Sequence, residues 1–208
     1  MILLLEKRSR NINQETVNMN LKNLVWCAVV ILVLIPSCRK TSNNTMLQQK
    51  GKAQTEVLQL LQTIESIDGF GENYILVIKD FIAMAEKFSS NYPEDTMTQE
   101  FMYKAGLLAM TVAKTSENSE ETSYYCQKAL LIFEDIQKIY PDYNGIRNCI
   151  LNKGIIYEDI LIDYENAEIS YREFIARFPL DTLSANLESY LPYLGKSPEE
   201  IITSFGKQ

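Results

Sequence analysis

The sequence predicts an all-α protein: antiparallel helix pairs stacked in chain order as a short α-solenoid of about three repeats, closed by C-terminal capping helices. Three observations carry this. Three segments end in an aromatic residue followed by proline: FIAMAEKFSSNYP (Phe81 to Pro93), ALLIFEDIQKIYP (Ala129 to Pro141) and AEISYREFIARFP (Ala167 to Pro179). Aligned on the proline, they place Phe81, Ala129 and Ala167 twelve residues before it and Ala85, Phe133 and Tyr171 eight before. Phe88, Ile136 and Phe174 follow at five before, and Tyr92, Tyr140 and Phe178 at one before. Steps of four, three and four return to one helical face. Proline then ends each helix, because it lacks an N–H and disfavours helical geometry in the residue ahead of it. The second observation is a glycine thirteen residues after both Pro93 and Pro141, Gly106 in YKAGLLA and Gly154 in LNKGIIY. Glycine inside a helix costs about 1 kcal/mol relative to alanine, so two at equivalent positions point to close helix–helix approach. The third is the punctuation at the end of the chain. Gly195 is a helix stop, and Ser197-Pro198-Glu199-Glu200 is a capping box, with Ser197 as N-cap, Pro198 at N1 and Glu200 at N3.

At the N-terminus, twelve apolar residues run from Leu24 to Ile35. A membrane-spanning helix needs about 20, a secretory h-region about 7–15, so residues 1–37 read as a signal peptide. Lys22 supplies the positive charge ahead of the run, and Ile35-Pro36-Ser37-Cys38 resembles a bacterial lipobox, from which the proline departs. That resemblance implies cleavage before Cys38 and lipidation of its sulfur. The alternative is a buried helix and an ordinary thiol, against which stands the polar, unpatterned RKTSNNT that follows. The first 18 residues carry Glu6, Glu15 and a polar tail, which suit a signal n-region poorly, so either Met1 or Met19 is the start. Residues 38–54 are then the lipidated cysteine and a polar tether, and 55–208 the helical domain. Its first helix is marked by Val57, Leu58, Leu61, Ile64 and Ile67.

Each later unit is a glycine-bearing helix, a turn, a second helix and a proline. This resembles the tetratricopeptide (TPR) repeat: Gly154, Tyr157, Ala167, Tyr171 and Pro179 stand at its small, aromatic, alanine and proline positions. The resemblance implies a TPR-like solenoid. Pro141 to Pro179 spans 38 residues against about 34 for the ordinary repeat, with one extra residue expected in the turn DYENA. Pro93 to Pro141 spans 48, the excess assigned to the polar TSENSEETS between Thr115 and Ser123. Thirteen residues after Pro179 stands Pro192 instead of glycine, so that helix is expected to kink or break. From Tyr74 to Phe205 the chain resembles short TPR lipoproteins or periplasmic proteins of Gram-negative envelopes.

Composition narrows the chemistry. Histidine is absent from all 208 residues, which excludes a Ser-His-Asp triad, a Cys-His pair and His-ligated zinc. No Gly-rich phosphate loop occurs, and GFG at Gly69 to Gly71 is a turn between helices. No cofactor and no metal are expected. Without residues 1–37 the chain keeps 16 of its 20 Lys+Arg and 25 of its 27 Asp+Glu, a net charge of −9. With no clustered Lys/Arg, nucleic acid is not an expected partner. Cys126 and Cys149 sit among apolar helical neighbours and read as buried thiols, a periplasmic disulfide being the alternative.

The TPR resemblance implies a concave surface lined by the first helix of each pair. There the expected partner-binding positions are Glu100, Tyr103, Leu107, Met110 and Thr111 beside Gly106, and Asn148, Leu151, Ile155, Glu158 and Asp159 beside Gly154. Their mixture of apolar and acidic side chains suits a protein-binding face better than a phosphate-binding one. The expectation is a non-enzymatic adaptor for envelope proteins or peptides, tethered through lipid on Cys38 at the periplasmic side of the outer membrane. The alternatives are a self-assembling envelope protein and a hydrolase using paired carboxylates such as Glu158-Asp159. Oligomeric state is left open.

Overall fold

A computed structural model describes residues 44–69 and 71–205. Among these, every regular element is helical: α1 (44–66), α2 (Glu72–Asn91), α3 (Thr96–Thr115), α4 (Ser119–Ile139), α5 (Ile146–Ile155), α6 (Tyr164–Arg177), α7 (Thr182–Tyr190) and α8 (Pro198–Phe205). A π-helical turn, Ile156–Ile160, continues α5, and a 3-10 turn, Leu191–Tyr193, continues α7. The chain divides into two compact units, 1–52 and 53–208; of the first, 44–52 are described, helical and almost entirely exposed. Residues 1–37, expected to be a signal peptide, both candidate start residues and Cys38 lie outside the described residues. Of the expected tether, 44–54 is helical instead. Met46, Leu47, Gln48, Gln49, Lys50 and Ala53 are strong helix formers, so propensity makes a helix there without an apolar stripe.

In the second unit, helices pack on their neighbours in chain order, from α2 on α3 through α6 on α7. The nine residues predicted at twelve, eight and five positions before the prolines are all at most 3% exposed, and they form the spine of the core. Each fully buried Phe or Ile there contributes about 1.5–3 kcal/mol. Val57 and Ile64 of α1 join the same core, whereas Leu58 is 40% exposed and stands outside it.

The glycine prediction holds in detail. A Cβ placed on Gly106 would stand 2.6 Å from the Phe133 ring, and one on Gly154 would collide with the Tyr171 ring. Both rings come from the position eight before the proline, so the same notch-and-ring contact sets α3 against α4 and α5 against α6.

Each hairpin ends alike. Tyr92, Tyr140 and Phe178 leave the helix with φ −137°, −123° and −128°. Their N–H groups still donate to the carbonyls of Phe88, Ile136 and Phe174 at 2.8, 2.9 and 2.9 Å. After two of the prolines an aspartate caps the next helix: Asp95 accepts from the Met97 N–H and Asp181 from the Leu183 N–H. Three residues further, Thr98 and Ser184 donate their hydroxyls back to the Tyr92 and Phe178 carbonyls, both at 2.7 Å.

The extra residues lie at TSENSEETS as expected in the second unit but ahead of DYENA in the third, and in both they are helical. TSENSEETS forms no long loop: Ser116–Asn118 alone separate α3 from α4, and Asn118 caps α4 by accepting from the Glu120 and Glu121 N–H groups. The added length therefore extends two helices to 20 and 21 residues. In the third pair the excess is taken up ahead of DYENA by the π turn, after which Ile162 adopts the left-handed region at φ 54°. For a β-branched residue that conformation costs about 1–3 kcal/mol. Asp163 then caps α6 through the Asn166 N–H.

At the C-terminus α7 stops at Tyr190, and Pro192 falls in the 3-10 turn, the predicted break. Gly195, at φ 74°, lets the chain pass against the Tyr164 ring. The capping box closes as predicted: the Ser197 N–H donates to Glu200 Oε2 at 2.8 Å and the Glu200 N–H to Ser197 Oγ at 3.3 Å. No helix among the described residues is long and apolar enough to cross a membrane.

Candidate protein-binding face

The ten predicted groove positions fall on two helical stripes. Glu100, Tyr103, Leu107, Met110 and Thr111 follow steps of three and four along α3; Asn148, Leu151, Ile155, Glu158 and Asp159 do so along α5 and its π turn. Asp159 is exposed and the other nine are half-buried.

Three cross-links lay the stripes side by side in the same direction. Near their start, Tyr143 donates its hydroxyl to Glu100 Oε2 at 2.8 Å. One turn on, the Tyr103 phenol meets the side-chain amides of Asn152 and Asn148, its ring packed against Phe133 and Tyr143 at 6.1 and 6.0 Å. At the far end, Lys114 reaches Asp159 at 3.1 Å. Between these points Leu107, Met110 and Leu151 rest on the core with part of their surface open, while Thr111 spends its hydroxyl on the Leu107 carbonyl.

Glu158 has a different surrounding. It accepts one hydroxyl from Tyr171 at 2.6 Å and another from Tyr190 on α7, the two rings meeting edge-on at 6.5 Å. Glu158 therefore ties the third hairpin to α7, and its neighbour Asp159 is engaged with Lys114.

Tyr143, Asn152, Lys114 and Tyr190 escaped the sequence reasoning. Tyr143 had a signal. It stands two residues after Pro141, where the other turns carry Asp95 and Asp181. With no carboxylate there, Gly145 precedes α5 without a side-chain cap, and the Tyr143 ring covers it so closely that a Cβ would not fit.

The electrostatics keep these groups protonated. Burial, then the hydrogen bond to Glu158, pushes the Tyr190 phenol from 10.0 up to about 12, and the same causes raise Tyr171 further. Burial and Glu100 raise Tyr143, and burial alone is the main cause that pushes the Cys149 thiol from 9.0 up to about 12. Cys126 is also raised by burial, and both cysteines are free and buried, as predicted. Every one of these groups holds its proton more tightly folded than unfolded. Their stabilisation is complete below about pH 9 and is lost as pH rises through their raised folded values, about 12 for Cys149 and Tyr190. The urea midpoint is therefore expected to fall steadily between about pH 9 and 11.5; a midpoint unchanged over that interval would contradict this burial.

Among the described residues no group of three or more Cys, Asp or Glu is placed to hold a metal ion. The face offers neutral phenol donors, carboxamides, carboxylate acceptors and open aliphatic surface, a set suited to peptide or protein contact. No family model matches the chain, nor does any curated protein or solved structure.

Proposed function

We propose that this protein is a non-enzymatic adaptor: a TPR-like repeat protein, lipid-anchored through Cys38 at the periplasmic side of a Gram-negative outer membrane, that presents its α3–α5 face to protein or peptide partners. Outer-membrane assembly, or coordination of envelope and peptidoglycan processes, is the setting that the sequence resemblance implies. The observation that carries this reading is the alignment of the α3 and α5 stripes, with partly open Leu107, Met110 and Leu151 framed by Tyr103, Asn148, Glu100 and Asp159. Such surfaces on stacked helix pairs commonly take peptides or partner domains. The environment of Glu158 also supports a scaffold over a hydrolase, since its carboxylate is occupied by two phenols and its neighbour by a lysine.

The test places a photo-crosslinking side chain at Leu107 or Leu151 in intact cells. The same few proteins are expected from both sites, and none of them from Ile169 on α6. Capture is expected to disappear with Leu107→Glu combined with Asn148→Lys. No capture, or the same set from Ile169, would remove the face. Independently, Cys38→Ser is expected to abolish fatty-acid labelling; labelling that persists would remove the anchor.

A further inference from the structure

The second helices of the first two hairpins leave a cleft of about 490 Å³ between α2 and α4, with Met102 of α3 also lining it. That volume lies in the lower half of the range for ligand sites, room for a few side chains. Along its α4 wall, beside Gln127 and Ile132, runs the stripe Tyr124, Lys128, Leu131 and Asp135, in steps of four, three and four. From Tyr124 to Asp135 the stripe runs about 16 Å, the length of three helical turns or about five extended residues.

Two features of this wall are unspent. Leu131 is 60% exposed over a base of Ile132 and Met102, which are 3% and 8% exposed, whereas the Tyr124 ring is already engaged by Tyr125 at 5.0 Å and by Lys128 Nζ at 5.5 Å. Lys128 neutralises Glu86 across the cleft at 2.7 Å, whereas Asp135, one turn beyond Leu131, joins no ion pair or hydrogen bond among the described residues. The cleft therefore combines open apolar surface with one uncompensated carboxylate, on a chain of net charge −7. An anionic ligand meets repulsion there, and a cation carried beside an apolar side chain meets both features at once.

We propose that the α2–α4 cleft docks a basic, partly apolar peptide segment of a protein partner, setting an apolar side chain on Leu131 and a lysine or arginine on Asp135. It is a second docking site, walled by α2 and α4 with only Met102 contributed by α3, and stands or falls separately from the α3–α5 face.

The probe is an acetylated heptapeptide of alternating lysine and leucine, titrated into the ¹⁵N-labelled full chain, with its glutamate–leucine counterpart as control. Amide shifts are expected on α2 and α4 around Ser90, Leu131 and Asp135 with the lysine peptide alone. Leu131→Glu and Asp135→Lys are each expected to weaken binding about fivefold or more, and Asp135→Asn less, with thermal unfolding unchanged because both sites are exposed. Leu107→Glu is expected to leave the affinity unchanged; if it abolishes binding, the peptide sits on the α3–α5 face and the proposal fails. Shifts spread over the whole acidic surface, or variants without effect, also overturn it. So does occupancy of Leu131 by a second copy, seen as the same shifts growing with protein concentration alone, or by lipid, seen with phosphatidylcholine vesicles.

Discussion

Phe133→Ala is expected to lower the unfolding free energy by about 3–5 kcal/mol, and adding Gly106→Ala to it is expected to return part of that loss. Phe133 is fully buried, with its ring seated in the notch at Gly106 and beside Tyr103, so its removal opens a cavity between α3 and α4. Alone, Gly106→Ala would bring a methyl to 2.6 Å from a ring that has nowhere to retreat. Overpacking of that kind costs about 1–3 kcal/mol, against about 1 kcal/mol gained from helix propensity, so the single substitution destabilises. In the Phe133→Ala background the ring is gone, the methyl fills part of the cavity and the propensity gain remains. The sign of Gly106→Ala thus reverses between the two backgrounds. A double-mutant cycle by urea unfolding reads this directly. An equal effect in both would mean that the glycine is not there for the ring. Gly154 and Tyr171 repeat the geometry one hairpin later.

Each half of that contact was legible in the sequence, the ring on a buried face and the glycine as a point of close approach, because both sit at fixed distances from a proline, and a proline marks a helix end through its own covalent chemistry; that one fills the other was not. The C-terminal capping box was legible for the same reason: Ser197 and Glu200 act on backbone groups within one turn. What escaped has physical causes too. Residues 44–54 form a helix on propensity, without an apolar face for periodicity to detect. A length difference between repeats shows how many residues are added but not where they go. The chain used extra helical turns beside Asn118 in one repeat and a π turn ending at Ile160 in the other, because helical residues satisfy their own backbone hydrogen bonds where a long loop must find other partners. On the candidate face, Glu100, Tyr103, Asn148 and Asp159 were placed from the repeat's register. Tyr143 was missed although its departure from Asp95 and Asp181 was visible. Tyr190 has no local signal at all: it reaches Glu158 across 32 residues of chain, from the last residue of α7 before the break.

Glu158→Leu is expected to cost about 2–4 kcal/mol, and Tyr171→Phe is expected to recover a large share of it. Glu158 accepts hydroxyls from Tyr171, which is 3% exposed, and from Tyr190, which is 38% exposed. Without the carboxylate, Tyr190 can turn to water. Tyr171 cannot, and a buried hydroxyl left without an acceptor costs about 1–3 kcal/mol. Replacing it by phenylalanine removes the stranded group while keeping the ring that fills the Gly154 notch. Glu158→Gln, which retains an acceptor oxygen, is expected to lose about 1 kcal/mol, and Tyr190→Phe alone no more than that. The consequence for the fold is local. The carboxylate is the polar tie between the π turn and α7, so Glu158→Leu is also expected to speed protease cleavage near Gly195 while leaving α3 and α4 protected from hydrogen exchange. If Glu158→Leu proves neutral in urea unfolding, or if Tyr171→Phe deepens its loss instead of relieving it, the two tyrosines are held by ring packing alone and the carboxylate is not what fastens the C-terminal cap.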